Sequence, residues 1–202
     1  VVRVGGVVVL DVPQQLDLVE ALVGQGATVT VLDDLSSGDL ERLSPSLDRL
    51  RVVEGSILDG KALDQAFAGV RLVFHHAALV SVPESIEFPH RYEAVNVGGT
   101  RSVLDASIRH GVSRLVYAGS CSAYGNLPGL PKVESDPVEP TSPYAATKLE
   151  VLGALLDSHA DVLLDRSVRH IGLAVRPDSD GGVEVAVLLA ESQMIFLVVQ
   201  FW

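Results

Sequence analysis

The stretch Ser142-Pro143-Tyr144-Ala145-Ala146-Thr147-Lys148 places a tyrosine and a lysine four residues apart, and on a helix such a pair shares one face. A phenol is a poor base near neutrality because its reference pKa is about 10. A cation one turn away favours the phenolate and brings it within reach of general-base work. Upstream, Val116-Tyr117-Ala118-Gly119-Ser120-Cys121-Ser122-Ala123-Tyr124-Gly125 puts Ser120 24 residues before Tyr144. A serine hydroxyl both donates and accepts a proton. Tyr and Lys at this spacing occur by chance on many surface helices, so the pair gains its meaning from that serine and from what precedes it.

Apolar runs and helical patterns alternate ahead of these motifs. Val7–Leu10, Thr28–Leu32, Arg51–Val53, Leu72–Phe74 and Arg114–Ala118 read as short buried strands rich in Val and Leu. Amphipathic stretches near Leu16–Val23, Leu40–Leu50, Lys61–Phe67 and Arg91–His110 lie between them. Strands separated by helices predict right-handed crossovers and an α/β fold with a doubly wound parallel sheet. Gly24 and Gly26 mark the first helix-to-strand turn, and Asp59 is placed to cap the helix near 61–67. Five prolines between Pro128 and Pro143 predict a loop leading into the Tyr144 helix.

Composition narrows the function classes. The 202 residues are 48% hydrophobic, enough for one substantial core. A formal net charge of −11 repels phosphate backbones, so no nucleic-acid partner is expected. The single cysteine, Cys121, excludes an intrachain disulfide and fits a reducing cytoplasm. Cysteine and histidine spacing suggests no metal site; His75 and His76 are adjacent and would point to opposite sides of a strand. The opening run Val1–Leu10 reads as a buried strand rather than a signal segment, and Val185–Trp202 is too broken for a membrane span.

Ser120, Tyr144 and Lys148, set behind this alternation, resemble the catalytic trio of the extended short-chain dehydrogenase/reductases, within the NAD-dependent epimerase/dehydratase group that acts on nucleotide sugars. The resemblance runs from about Leu18 to Glu150. It implies a Rossmann-like NAD(P)-binding domain over 1–158, a divergent C-terminal segment over 159–202, and bound NAD. It also implies a nucleotide-sugar substrate and a homodimer paired through a four-helix bundle of the helices near 91–110 and 142–158. By resemblance, Asp33 takes the adenosine ribose, while Asp34, Ser36 and Ser37 line the adenosine. An acid at the end of the second strand favours NAD over NADP. Ser56 stands where the family commonly has Asp and, with Ile57, would contact adenine. His76, Ala77, Ala78 and Leu79 close the fourth strand, the alanines letting the cofactor approach the backbone. Asn96, in Asn96-Val97-Gly98-Gly99-Thr100, would brace the loops near the nicotinamide. Ser81 and Val82, before Pro83 and Ser85, resemble the sugar-facing loop of UDP-N-acetylhexosamine 4-epimerases, and otherwise form a surface turn. Ser122 is the alternative hydroxyl to Ser120 and a further substrate contact. In the implied epimerisation Lys148 lowers the Tyr144 pKa and holds the nicotinamide ribose.

Two departures set a competing expectation. The family's glycine-rich turn admits a diphosphate against a helix N-terminus; here the corresponding positions hold Val9, Val12 and Gln15. Residues 151–202 lack clear motifs of the family's substrate region, Arg176-Pro177 apart. A truncated, non-catalytic remnant or a dimerising subunit is therefore the alternative to an epimerase. A sugar-nucleotide reductase or dehydratase would use the same trio. Dehydratases usually carry an Asp-Glu pair where this chain has Cys121 and Ser122.

Overall fold

A computed structural model describes residues 6–10, 16–24, 26–36, 50–133, 136–158, 173–177, 183–187 and 196–200. In chain order the elements are β1 (Gly6–Leu10), α1 (Leu16–Gly24), β2 (Val29–Asp33), β3 (Leu50–Glu54), α2 (Gly60–Phe67) and β4 (Val70–His75). Next come α3 (Val82–Glu87), α4 (Pro89–Tyr92), a π-helical stretch Glu93–Gly99, α5 (Thr100–Arg109) and β5 (Arg114–Ser120). A 3-10 turn Cys121–Tyr124, α6 (Pro143–Ser158), β6 (Leu173–Pro177), β7 (Val183–Val187) and β8 (Phe196–Gln200) complete the list. The chain forms two compact units, Val1–Ala78 with Gly98–Val116, and Leu79–Val97 with Tyr117–Trp202.

The first unit carries the expected parallel sheet. Strand β1 pairs in parallel with β2 (Val7 opposite Val29) and with β4, and β2 pairs in parallel with β3 (Val31 opposite Val52). The order β3-β2-β1-β4 continues into the start of β5. Every residue of β2 is buried, as expected for a parallel strand covered on both faces. Val19, Leu22 and Val23 of α1 pack with Ala27, Val29 and Val31, and Leu18, Leu50, Leu72 and Phe74 close around them. Full burial of each such side chain is worth about 1.5–3 kcal/mol. Helix α1 stops because Gly26 takes a left-handed φ of 81°. The Gly26 and Ala27 amides then return to the Val23 and Leu22 carbonyls at 3.0 and 3.1 Å, which satisfies acceptors the helix leaves open. Helix α2 starts at Asp59, whose carboxylate accepts from the Lys61 amide at 2.8 Å; its Ala62, Leu63, Ala66 and Phe67 face inward.

The second unit contains α3, α4, most of the π-helical stretch, the end of β5, α6, and the antiparallel pair β6–β7 with Val175 opposite Val185.

Three local expectations change. The helix expected over 40–50 lies outside the described residues except at Leu50, which opens β3. The helix expected over 91–110 is interrupted by the π turn of Glu93–Gly99. Asn96 directs its side chain away to other backbone there, and Gly98-Gly99 holds helical geometry weakly. The turn expected around Pro83 is instead the first turn of α3. Ser81 accepts from the Glu84 amide at 3.3 Å, and a proline in the first turn needs no amide partner. Among the described residues no helix is long and apolar enough to cross a membrane.

Candidate active site

Tyr144 and Lys148 come together with Ser120 through two well-determined helix and turn starts. Ser142 caps α6, its hydroxyl accepting from the Ala145 amide at 3.1 Å; Pro143 follows as the first helical residue. Tyr144 therefore sits in the first turn and Lys148 one turn later. At the end of β5, Ser120 caps the 3-10 turn, its Oγ accepting from the Ser122 amide at 3.2 Å. Gly125 ends that turn at φ 57°, and any Cβ there would run into the Glu139 carbonyl. The Glu139 amide in turn donates to the Ala123 carbonyl at 2.9 Å. The proline-rich loop thus returns to the turn and fixes it.

The result is a linked set of hydroxyls. Ser120 Oγ and Ser122 Oγ are 2.7 Å apart, so the two candidate serines are bonded to each other. Tyr144 is only 9% exposed. Burial pushes its phenol above the ordinary value; a hydrogen bond from the Ser120 side chain pulls it back, and the neighbouring Cys121 raises it further. Lys148 is 5% exposed. Its Nζ donates to the Ala118 carbonyl at 2.9 Å and stands 4.9 Å from the centre of the Tyr117 ring. In the structure burial is the largest influence on the Tyr144 phenol, and the opposing pull comes from Ser120.

Asn96 bonds to backbone well outside its own helix. Its Oδ1 accepts from the Leu79 amide at 2.8 Å while its Nδ2 donates to the Leu79 carbonyl at 3.0 Å. The same Nδ2 reaches Thr147 Oγ1 at 3.1 Å, and Thr147 donates to the Tyr144 carbonyl at 2.8 Å. One amide side chain therefore ties the segment after β4 to the helix that carries Tyr144 and Lys148. Thr147 is missed by sequence reasoning, although a hydroxyl three residues after Tyr144 on a helix is a visible signal. Tyr117 is missed as well, because an aromatic in an apolar strand reads as core. Ser81 uses its hydroxyl as the α3 cap, and Val82 beside it is partly exposed. Glu84 of α3 accepts from Arg91 at 2.7 Å and from the buried Tyr92 hydroxyl at 3.0 Å. Those bonds fix α3 against α4.

In the first unit, Asp33 ends β2 with 6% exposure, its Oδ1 accepting from the Leu35 amide at 2.7 Å. Asp34 does the same for the Ser36 amide at 3.0 Å, and Ser37 lies outside the described residues. Ser56 accepts from the Leu58 amide at 3.2 Å, and Ile57 is buried. His76, Ala77 and Ala78 are half-buried, with the His76 ring edge-on to Phe74. A buried carboxylate at the carboxyl end of a parallel strand suits a vicinal diol, the position and chemistry that a ribose needs. Val9 lies in β1, whereas Val12 and Gln15 fall outside the described residues.

The family model of the NAD dependent epimerase/dehydratase family matches residues 17–165, most of the chain. The chain belongs to that family. UDP-glucose 4-epimerase of Dictyostelium discoideum is 34% identical over 152 residues, covering 70% of this chain and 42% of that protein. UDP-glucose 4-epimerase of Mycolicibacterium smegmatis is 35% identical over 184 residues, covering 87% of this chain and 58% of that protein. Among solved structures, UDP-glucose 4-epimerase from Brucella ovis in complex with NAD superposes with a TM-score of 0.70 at 33% identity. That superposition covers 78% of this chain and 48% of the other. The chain thus spans about half the length of the relatives it matches.

Proposed function

We propose that this chain is an NAD-dependent nucleotide-sugar 4-epimerase acting on a UDP-hexose or UDP-N-acetylhexosamine. The observation that carries this reading is the buried Tyr144, its phenol drawn down by Ser120 of the hydrogen-bonded Ser120–Ser122 pair, on one helix with the buried ammonium of Lys148. NAD, when bound, supplies the acceptor and then the donor of the hydride at sugar carbon 4. Tyr144 takes the proton of the sugar 4-hydroxyl and gives it back after the 4-keto sugar has turned its other face. Ser120 and Ser122 relay that proton, since each hydroxyl can accept one bond while donating another. Lys148 favours the phenolate by its charge and has further N–H groups to offer a ribose. Asn96 holds the Leu79 backbone in place beside these groups. Asp33 accepts the adenosine ribose hydroxyls, Asp34, Ser36, Ser37, Ser56 and Ile57 line the adenosine, and His76, Ala77 and Ala78 line the cofactor. Ser81 and Val82 face the sugar, and α4, α5 and α6 pair two copies into a homodimer.

The NAD bound in the Brucella ovis relative supports the cofactor assignment. A second reading, a non-catalytic dimerising protein, is favoured by the Val9, Val12 and Gln15 side chains at the expected glycine positions. Dehydration is disfavoured by Cys121 and Ser122 in place of an acidic pair. Incubating the purified chain with UDP-galactose and NAD, and resolving the products by anion exchange, decides between the two readings. Accumulation of UDP-glucose that Tyr144→Phe abolishes supports the epimerase. A folded chain that converts neither UDP-galactose nor UDP-N-acetylgalactosamine is the non-catalytic protein.

A further inference from the structure

Lys148 presents a problem that its own helix does not solve. An ammonium at 5% exposure has lost most of its water, and burial favours the neutral amine unless other groups replace that hydration. Only a charged Lys148 can favour the Tyr144 phenolate. Two replacements come from β5: the Ala118 carbonyl at 2.9 Å, and the face of the Tyr117 ring 4.9 Å away. The ring distance lies well inside the roughly 6 Å over which an aromatic quadrupole attracts a cation, and the attraction is strongest when both are desolvated.

We propose that Tyr117 is a positioning residue for Lys148, its ring face holding the ammonium charged and directed over the end of β5, one helical turn from Tyr144. The proposal rests on the assignment of Tyr144 and Lys148 as the catalytic pair. Tyr117 does not touch the reacting atoms; it acts through Lys148. Its own phenol is suited to this, because at 2% exposure burial pushes it far above the ordinary tyrosine value. The ring stays neutral. Tyr144 acts electrostatically on the Tyr117 phenol, and Tyr144 itself is influenced by Ser120 and Cys121 on the turn, Ser120 being bonded to Ser122.

The test is the titration of Lys148 itself, read by NMR on the full chain carrying Cε-labelled lysine, with Lys148→Met assigning the signal. Tyr117→Phe keeps the ring and should leave the Lys148 pKa close to that of the parent. Singly, doubly and triply fluorinated phenylalanines at position 117 drain the ring quadrupole with little change of size. The pKa should then fall step by step, by about one unit in all. A ring-fluorinated tyrosine at 117 makes the same comparison with the hydroxyl retained, should the phenylalanine series fold poorly. A Lys148 pKa that ignores fluorination overturns the proposal, as does a fall confined to the loss of the hydroxyl. The titration needs no turnover, so it separates this claim from the epimerase reading: stepwise titration without activity would refute only the latter.

Discussion

Two polar regions of this molecule are built in different ways. At the ends of β2 and β3, Asp33, Asp34, Ser56 and Asp59 each bond to the amide two residues ahead. Around α6 the polar side chains reach across the chain: Lys148 to Ala118, 30 positions away, and Asn96 to Thr147, 51 positions away. Short-range bonds make turns and caps, which the backbone would otherwise leave to water. Long-range bonds between buried groups must repay desolvation, and each depends on the whole fold being correct. The first region could be a set of turns with or without a ligand. The second holds the helix that carries Tyr144 and Lys148, and for that reason it supports the proposed function.

This contrast can be broken from the cross-chain side first. Tyr144→Phe should lower epimerase turnover by about 10²–10⁴-fold, the usual contribution of a positioned general base, while leaving the far-ultraviolet circular dichroism unchanged. Gly125→Ala forces a side chain into the Glu139 carbonyl at a left-handed φ. It should cost about 3 kcal/mol or more in urea unfolding. Asn96→Ala removes the partner of the Leu79 amide and carbonyl and of Thr147 at once; a loss of about 2 kcal/mol is expected by the same measurement. Asp59→Ala breaks one local cap and should cost only about 1 kcal/mol. If Asp59→Ala proved as damaging as Asn96→Ala, the distinction between the regions would fail.

The buried tyrosines sharpen the contrast through pH. Burial raises the phenols of Tyr92, Tyr117 and Tyr144, with Glu84 adding to the effect at Tyr92. A group whose pKa is raised on folding keeps its proton in the folded state after the unfolded chain has released it. Its contribution is complete below the unfolded value near 10 and is lost as pH rises from there toward the folded pKa. Stability measured by urea unfolding should therefore decline above about pH 10. Tyr117→Phe should make that decline shallower, and an unchanged slope would remove Tyr117 from the account.

The parts legible in the sequence were those fixed by local pattern. Apolar runs gave β1, β2, β3, β4 and β5 within a residue or two, because strands of a parallel sheet are rich in Val and Leu. Proline and Ser142 marked the start of α6, and with it the spacing of Tyr144 and Lys148. The start of α3 was also visible in Ser81-x-x-Glu84, but Pro83 drew attention as a turn residue. The π turn was not legible. It exists where Asn96 leaves the helical face for a backbone segment 17 positions earlier, and no local window contains that partner. Tyr117 was hidden for a related reason: its burial was foreseeable, while the ammonium above its ring arrives from a helix 31 residues later in the chain.

The most direct measurement is a thermal melt of the purified chain with and without NAD. A ligand that binds only the folded state stabilises it by RT ln(1 + [L]/Kd), about 2.7 kcal/mol at a hundredfold excess over Kd. For a chain of this length that amounts to roughly 5–10 °C. A rise of that size, saturating with NAD concentration, is the result this account predicts. A cooperative melt whose midpoint stays fixed up to millimolar NAD would contradict it and leave a folded family member that holds no cofactor.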